Sequence, residues 1–382
     1  MKSFMLIVAI TILIIGVSAC ERISQVVQPI PSDIEDKSKE ISIGVVLPLT
    51  GHLASTGELM KQGFDLALGE INKDQLGNTQ FKFIIEDDSS TPEGAIAAFN
   101  KLIDEDGVSV IFGPASSSAT GEAFPIAQEN QVVAFSATAG ARGLSEIGDF
   151  VFQFPAKGDT WIAKGVEATH EKLGYQRVAK MYDETDRFSS DRDQTFQKIL
   201  EAKGIEVLTT ETFKSGDTDF SKQLNRIKAL NPDAIFVSAL PPEKPKVLIQ
   251  QHQLGISAPF IITSLTAVEV QAAGVAAEGA VTFTSWLITD NTPGNQAFIE
   301  SYRSVYGTDP SGSVISAYVA TYILAEAIKN AQSTDAAAVR DALQNIRDFD
   351  TLVGKFSFDA DGSGVYDSKV VIVKDSTLQP FK

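Results

Sequence analysis

Short apolar runs and helix-length segments alternate along most of this chain, in two successive series. The first series starts with the apolar run 41–47, the second starts at Trp161 and continues to Trp286, and the regular order lapses near residues 155–160. Regular β-α-β alternation implies parallel sheets that carry helices on both faces. The sequence therefore predicts an α/β fold of two Rossmann-like lobes, each with a parallel central sheet.

Composition narrows the range of partners. The chain has 382 residues, 43% of them hydrophobic and 21% charged, with a formal net charge of −17. This composition is typical of a globular protein with ample cores. Its negative charge disfavours binding to nucleic acid and to anionic lipid head groups. We therefore expect no nucleic-acid partner.

The amino terminus has the pattern of a secretory signal. Lys2 precedes an apolar run from Phe4 to Val17, and Val-Ser-Ala-Cys ends at Cys20. The run is too short for an ordinary membrane-spanning helix, and the four residues resemble the bacterial lipoprotein cleavage box. We expect residues 1–19 to be a lipoprotein signal peptide and Cys20 to carry lipid. An uncleaved anchor is the alternative, and in both cases the body lies outside the cytoplasmic membrane.

Two further expectations follow from this region. Cys20 is the only cysteine, so an internal disulfide is impossible and no thiol is left for catalysis or metal binding. Residues 20–40 include Pro29 and Pro31 and show no sustained period. This segment is predicted to be a tether between the membrane and the first lobe.

Two polar loops follow neighbouring apolar runs. Val108–Phe112 leads into Gly-Pro-Ala and the serines Ser116, Ser117 and Ser118, and Val132–Phe135 leads into small hydroxyl residues. Parallel strands would bring both loops to the same sheet edge, where open α/β sheets bind ligands. Hydroxyls and backbone N–H groups at a helix start suit an anion such as a carboxylate.

Several segments together resemble a known family. They are Ile43-Gly-Val-Val-Leu-Pro-Leu-Thr-Gly, Glu70-Ile-Asn, the strand ending in Glu86-Asp-Asp, Gly113-Pro-Ala-Ser-Ser-Ser-Ala-Thr, Gly216-Asp-Thr-Asp-Phe, Asn231-Pro-Asp-Ala-Ile, Gln250-Gln-His-Gln-Leu-Gly and the helix around Tyr318. In this order they resemble the type I periplasmic binding proteins, in their leucine/isoleucine/valine-binding branch. The resemblance covers the chain from about Ile41 to its carboxyl terminus.

The resemblance implies a fold and a division into lobes. Two lobes are joined by three crossover hinge strands and close over a ligand in the cleft between them. The first lobe would be residues 41–156 plus 288–350, and the second 157–287 plus 351–382. The hinges would lie near residues 155–158, 286–290 and 350–355.

The resemblance also assigns ligand contacts in the two loops. Ser117, with Ser116 and Ser118 beside it, falls on the serine that holds the ligand carboxylate, although the triplet also suits a helix cap. Thr138 and Gly140 fall on the second ligand loop. In an ungapped match Gly140 stands where the family's amino-acid binders usually have a threonine, so a hydroxyl is missing. A shift of two residues would bring Thr138 to that position, but it needs a compensating gap.

A second departure concerns the ligand ammonium. Ser264 stands where amino-acid binders of this family often have a glutamate that pairs with it. Enclosing an ammonium without a counter-charge is costly. Either another acid supplies the charge, with Glu184, Asp186 and Glu269 as candidates, or the ligand has no α-ammonium.

Aromatic residues at a cleft usually line the apolar part of a ligand. Phe188 falls where the family often has a tyrosine at the mouth of the second lobe. Trp286 and Tyr318 are equally consistent with cleft and with core. Thr56 stands where an aromatic residue often covers the ligand side chain, which again indicates a different ligand shape.

Enzymatic and metal-dependent readings find little support. The three histidines, His52, His170 and His252, are scattered, and only His52 is expected at the cleft edge. Asp359-Ala-Asp-Gly-Ser-Gly resembles a calcium loop, yet its twelfth position is Val370, so a hairpin turn is expected. No phosphate-loop motif is present, and serines without a paired base make no nucleophile. We expect no enzyme, no cofactor and no metal.

The function that follows is an extracytoplasmic solute-binding lipoprotein of an ABC transporter. Its ligand would be a small carboxylate-bearing metabolite, a branched-chain or other amino acid or a related compound. Its partners would be the permease and ATPase of the importer, with a monomeric body anchored to the membrane at Cys20, on the periplasmic or extracellular face. The alternative is a ligand sensor of the same fold that signals to a partner receptor.

Overall fold

The computed structural model describes residues 39–73 and 79–382. Residues 1–19, Cys20 and nearly all of the predicted tether lie outside this range. The strands, in chain order, are β1 Lys39–Leu47, β2 Thr79–Asp87, β3 Val110–Phe112, β4 Val133–Ser136, β5 Val151–Ala156, β6 Arg177–Asp183, β7 Glu206–Phe213, β8 Ala234–Ser238, β9 Phe260–Ile262, β10 Val281–Thr284, β11 Phe349–Thr351, β12 Gly354–Phe358, β13 Ser363–Val365, β14 Lys369–Lys374 and β15 Thr377–Pro380.

Eleven α-helices connect the strands within these ranges. They are α1 Ala54–Lys73, α2 Pro92–Asp104, α3 Ser117–Glu129, α4 Gly158–Leu173, α5 Arg187–Ala202, α6 Ser221–Leu230, α7 Lys244–Gln253, α8 Ala267–Ala273, α9 Asn295–Tyr306, α10 Gly312–Ala331 and α11 Ala336–Gln344. Two short 3₁₀ turns follow β4 and α8.

The strands form two sheets. The first has the order β11-β12-β13-β5-β4-β3-β1-β2 and is parallel from β13 to β2. The second has the order β15-β14-β10-β9-β8-β6-β7 and is parallel from β10 to β7. The antiparallel strands lie at one edge of each sheet, and all come from the last part of the chain. The predicted α/β architecture of two lobes is confirmed.

Apolar residues on both faces of each sheet explain the helical layers. In the first lobe α1, α9, α10 and α11 cover one face and α2 and α3 the other. In the second lobe α6, α7 and α8 cover one face and α4 and α5 the other. The central strands β3 and β4 are buried along their whole length, as expected for parallel strands between two helical layers.

The chain passes between the sheets three times, after β5, after β10 and after β13. The third passage, between Val365 and Lys369, comes later than the expected hinge at 350–355. The predicted second lobe begins again at residue 351, whereas β12 and β13 pair with the first sheet. Only the chain from β14 onward joins the second sheet.

Aromatic packing explains that difference. Phe358 lies 5.5 Å from Phe135 and 5.1 Å from Phe152, measured between ring centroids, and Phe356 stacks on Phe154. These contacts hold β12 on the first sheet. The strands β12 and β14 therefore belong to different sheets. The expected turn at Asp359 is confirmed, since Asp359 N donates to Ser363 O at 2.8 Å between β12 and β13.

Candidate functional site

The two polar loops at the ends of β3 and β4 are joined side by side, as predicted. Ser117 Oγ accepts hydrogen bonds from Gly140 N at 3.2 Å and Ala141 N at 3.1 Å. Thr138 Oγ1 donates to Ala115 O at 2.8 Å. Ser117 is only 2% exposed, so its oxygen holds the second loop against the start of α3. Its contact with ligand stays a prediction.

The three serines have three different partners. Ser116 Oγ caps α3 by accepting from Ala119 N at 3.1 Å. Ser118 Oγ accepts from Arg187 N at 3.1 Å and lies 3.4 Å from Asp186 Oδ1, both in the second lobe. The triplet therefore caps a helix, fixes a loop and bridges the two lobes.

Asp186 organises the second-lobe side of this bridge. It is the N-cap of α5, and its Oδ2 accepts from Ser189 N at 2.8 Å. Burial raises the pKa of Asp186, which is 4% exposed. The cap starts α5 at Arg187, and the Asp186-x-x-Ser189 spacing is the sequence signal for it.

The centre of the interlobe surface is a buried arginine that the sequence did not single out. Arg192 is 1% exposed, and its Nη2 donates to Gly140 O of the first lobe. Its Cζ lies 4.8 Å from the Phe188 ring centroid and 5.1 Å from that of Trp161. Both distances are typical of cation–π contact. Burial lowers the pKa of Arg192 to about 10, so the guanidinium remains charged at neutral pH.

Ion pairs beside Arg192 connect residues of the two lobes. Arg192 Nη1 donates to Asp191 Oδ2 at 3.1 Å, and Asp191 Oδ1 accepts from Arg142 Nε at 2.5 Å. Arg142 belongs to the loop after β4, and it also lies 3.8 Å from Asp159 at the start of α4. One carboxylate thus serves two guanidinium groups, one from each lobe.

Two glycines make room for this guanidinium. A Cβ on Gly140 would stand 2.9 Å from Arg192 Nη2, and a Cβ on Gly158 would stand 1.8 Å from Nη1. Any side chain at these positions would meet the charged group. A threonine at position 140, which the resemblance would lead one to expect, would therefore bring its Cβ against Arg192.

The carboxyl edge of the second sheet carries further buried ions. Ser264 is exposed, with a left-handed backbone (φ 55°), and its carbonyl accepts from Lys244 Nζ at 3.0 Å. Lys244 in turn pairs with Glu269 at 2.9 Å, with both side chains at most 5% exposed. Of the acids proposed as an ammonium partner, Glu269 is thus neutralised, Asp186 caps a helix and Glu184 is exposed.

A fourth acid at this edge was not anticipated. Glu243 is fully buried, and its Oε1 accepts from Gly216 N at 3.0 Å. Its Oε2 has no hydrogen-bond partner among the described residues. Burial raises the pKa of Glu243, and the nearby Asp183 carboxylate adds to the effect.

Other predicted contacts separate into two groups. Phe188 does reach the interlobe surface, where it packs on Arg192. Tyr318 instead donates to Glu70 and packs 4.6 Å from Phe298 in the first-lobe core, and its pKa is raised by burial first and by that hydrogen bond. Thr56 is half-buried in the first turn of α1. Trp286 lies just beyond β10 and donates to Asn295 Oδ1 at 2.6 Å. The core reading therefore holds for Tyr318 and Trp286.

Metal-type clusters and membrane-spanning helices are absent from the described ranges. No group of three or more histidine, cysteine, aspartate or glutamate side chains there is arranged to hold a metal ion. None of the helices in those ranges has the length and apolarity that crossing a membrane requires.

Comparisons with known proteins agree with this geometry. A model of the periplasmic binding protein family matches residues 40–377. The chain is similar to the Leu/Ile/Val-binding protein BraC3 of Rhizobium johnstonii, with 28% identity over 328 residues, 85% of this chain and 88% of the relative.

Two solved structures are also similar. One is the branched-chain amino acid transporter substrate-binding protein LivJ of Streptococcus pneumoniae in complex with isoleucine, with a TM-score of 0.83, 26% identity and coverage of 89% and 98% of the two chains. The other, a solute-binding protein of an ABC transporter from R. palustris in complex with benzoate, has a TM-score of 0.82, 22% identity and coverage of 90% and 95%, and bears on the fold alone. The chain therefore belongs to the periplasmic binding protein family, in its type I, leucine/isoleucine/valine-binding branch, whose members bind solutes for transporters outside the cytoplasm and are not enzymes.

Proposed function

We propose that this chain captures a small carboxylate-bearing metabolite between its two lobes and delivers it to an ABC importer. The observation that carries the proposal is the buried guanidinium of Arg192, which faces the first-lobe loop at the interlobe surface. A carboxylate removed from water needs charged or multiple hydrogen-bond donors. This surface supplies them beside the Ser117 loop.

Closure of the lobes would follow from hinge motion at the three passages between the sheets. The contacts that would form and break are those of Ser118 with Arg187, Arg192 with Gly140, and Arg142 with Asp191. A ligand that binds both lobes stabilises the closed arrangement by its differential affinity for it. The closed form would be the one that the permease recognises.

The ligand class is open to a direct screen. Thermal unfolding with amino acids, their amides, and aliphatic and aromatic acids should show a rise in melting temperature with carboxylates, because a ligand that binds only the folded state stabilises it by mass action. Stabilisation by another class of compound, with none from any carboxylate, would contradict the proposal.

Membrane anchoring at Cys20 is the second part of the proposal. Metabolic labelling with radioactive palmitate should mark the full chain in its bacterial host, and Cys20→Ser should abolish the label and release the protein from the membrane fraction. Membrane association of Cys20→Ser equal to that of the natural chain would indicate an uncleaved anchor.

A further inference from the structure

The edge of the Arg192 guanidinium that faces the first lobe is poised for a two-point contact. Nη1 is engaged with Asp191 Oδ2 at 3.1 Å. Nε and Nη2 form the other edge, and their N–H bonds run parallel. Nη2 donates to the Gly140 carbonyl, whereas Nε is buried with no hydrogen-bond partner in the described part of the chain. This pair of donors matches the two oxygens of a carboxylate.

Aromatic rings and two glycines surround the Arg192 guanidinium. The rings of Trp161 and Phe188 lie within 5.1 Å of Arg192 Cζ, and Gly140 and Gly158 leave the guanidinium its space. A half-buried residue of the last passage between the sheets, Tyr366, accepts from Ala156 N at 3.3 Å. An apolar or aromatic ligand body would find contact partners here.

Among the residues that the structure describes, the second-lobe edge offers an ammonium no partner comparable to the one that Arg192 offers a carboxylate. Lys244 neutralises Glu269 and also occupies the Ser264 carbonyl. Glu243 is fully buried, and its Oε1 accepts from Gly216 N at 3.0 Å. Glu269, the buried acid of this set that is nearest to Ser264 in the sequence, is thus already engaged within the protein, whereas Arg192 Nε is left for an anion.

We infer that the ligand is a monocarboxylate without an α-ammonium, and that its carboxylate binds to the Nε and Nη2 edge of Arg192 while its apolar body packs on Trp161 and Phe188. The inference rests on the proposed function and specifies its substrate class. As the lobes part, the Gly140 carbonyl leaves Nη2 and the edge is presented to the cleft. In the closed complex the ligand carboxylate takes the place of that carbonyl.

Calorimetric titration with matched pairs tests this assignment. The probes are leucine against 4-methylpentanoate, and phenylalanine against 3-phenylpropanoate, together with the amides of the two acids. At least one acid should bind roughly tenfold or more tightly than its amino acid and its amide. Arg192→Lys should weaken that acid roughly 10- to 100-fold, because lysine keeps the charge but loses the two-point contact.

Arg226→Met, which removes a half-exposed guanidinium paired with Glu211 in the same lobe, serves as the control and should leave affinity unchanged. If Arg192→Lys does not fold, two other measurements give the test. They are the affinity of Gly140→Ala for the acid, and the ratio of the affinities of the natural chain for the acid and for its amide. Tighter binding of the amino acids would overturn the inference and leave the proposed function standing. If Arg192→Lys, or Gly140→Ala in its place, binds the acid as tightly as the natural chain does, the role of Arg192 is overturned. If no carboxylate binds at all, the proposed function itself is overturned.

Discussion

The two edges that meet across the cleft are built from different chemistry. On the first-lobe edge, neutral hydroxyls bind backbone groups, as Ser117 and Thr138 do. On the second-lobe edge, buried titratable groups dominate, namely Arg192, the Lys244–Glu269 pair and Glu243. Neutral hydrogen bonds fix loop positions at little desolvation cost, whereas buried ions respond strongly to the charge of what faces them. We therefore expect discrimination by charge to come from the second lobe.

The largest effect is expected from breaking an ion pair on the charged edge. Lys244→Met leaves Glu269 buried without its partner and should lower the free energy of unfolding by about 3–5 kcal/mol. Lys355→Met, in a pair with Asp350 whose side chains are about 60% exposed, should change it by less than about 1 kcal/mol. Urea unfolding measures both, and equal losses would remove the distinction between buried and surface pairs.

The next largest effect on stability is expected at Asp88, a buried acid on the otherwise neutral first-lobe edge. Asp88, at the end of β2, is 1% exposed, and burial raises its pKa to about 6. The folded state then binds a proton more tightly than the unfolded state does, so stability is fully present below about pH 4 and is lost as the pH rises through 6. The loss by pH 8 should be about 3 kcal/mol for a shift from 3.8 to about 6.

Asp88→Asn removes that loss, because an amide oxygen can still accept from Ser90 N, as Asp88 Oδ1 does at 2.8 Å. The variant should have a higher free energy of unfolding than the natural chain at pH 8 and the same free energy of unfolding at pH 3.5. Chemical unfolding at the two pH values makes the comparison. A variant that is destabilised more at pH 8 than at pH 3.5 would show that the carboxylate is needed in its charged form.

Substitution of a neutral hydroxyl on the first-lobe edge should lower the free energy of unfolding by a smaller amount. Ser117→Ala leaves the N–H groups of Gly140 and Ala141 without their acceptor and should lower the free energy of unfolding by about 1–3 kcal/mol. Ligand affinity should fall by a similar amount if Ser117 also binds the carboxylate. A loss of stability with unchanged affinity would restrict this serine to holding the loop.

The smallest effect on stability is expected at the bridge between the lobes. Ser118→Ala removes a half-buried hydroxyl that accepts from Arg187 N, and it should change the free energy of unfolding by less than about 1 kcal/mol. Its consequence should be a larger open fraction without ligand, visible as a larger radius of gyration in small-angle X-ray scattering. An unchanged radius would mean that other contacts, such as Arg142 with Asp191, hold the lobes together.

Local patterns were enough to predict most of the fold. The order of strands and helices, the two parallel sheets and the juxtaposed loops after β3 and β4 all follow from apolar periodicity. The placement of β12 and β13 did not, because the choice between the two sheets depends on ring contacts of Phe356 and Phe358 with distant strands. Such contacts leave no periodic signal near residue 351.

Apart from Phe188, the candidate site was predictable only on its first-lobe side. Hydroxyls after buried strands point to a ligand loop from sequence alone, and the missing threonine at Gly140 was visible. The packing of Arg192 against Gly140 was not visible in the sequence. Arg192 follows an acidic residue in a strongly polar stretch (Ser-Ser-Asp-Arg-Asp) that is typical of a solvated helix face. Burial of that arginine arises only when the two lobes meet.

The most direct test of the charged edge is the Nε–H resonance of Arg192, assigned by its loss in Arg192→Lys. We expect it to move downfield in a ¹⁵N-correlated NMR spectrum when a tightly bound acid such as 4-methylpentanoate is added to saturation, and to stay in place with the corresponding amide. A saturating acid that raises the melting temperature but leaves the Arg192 Nε–H resonance unmoved would contradict the account.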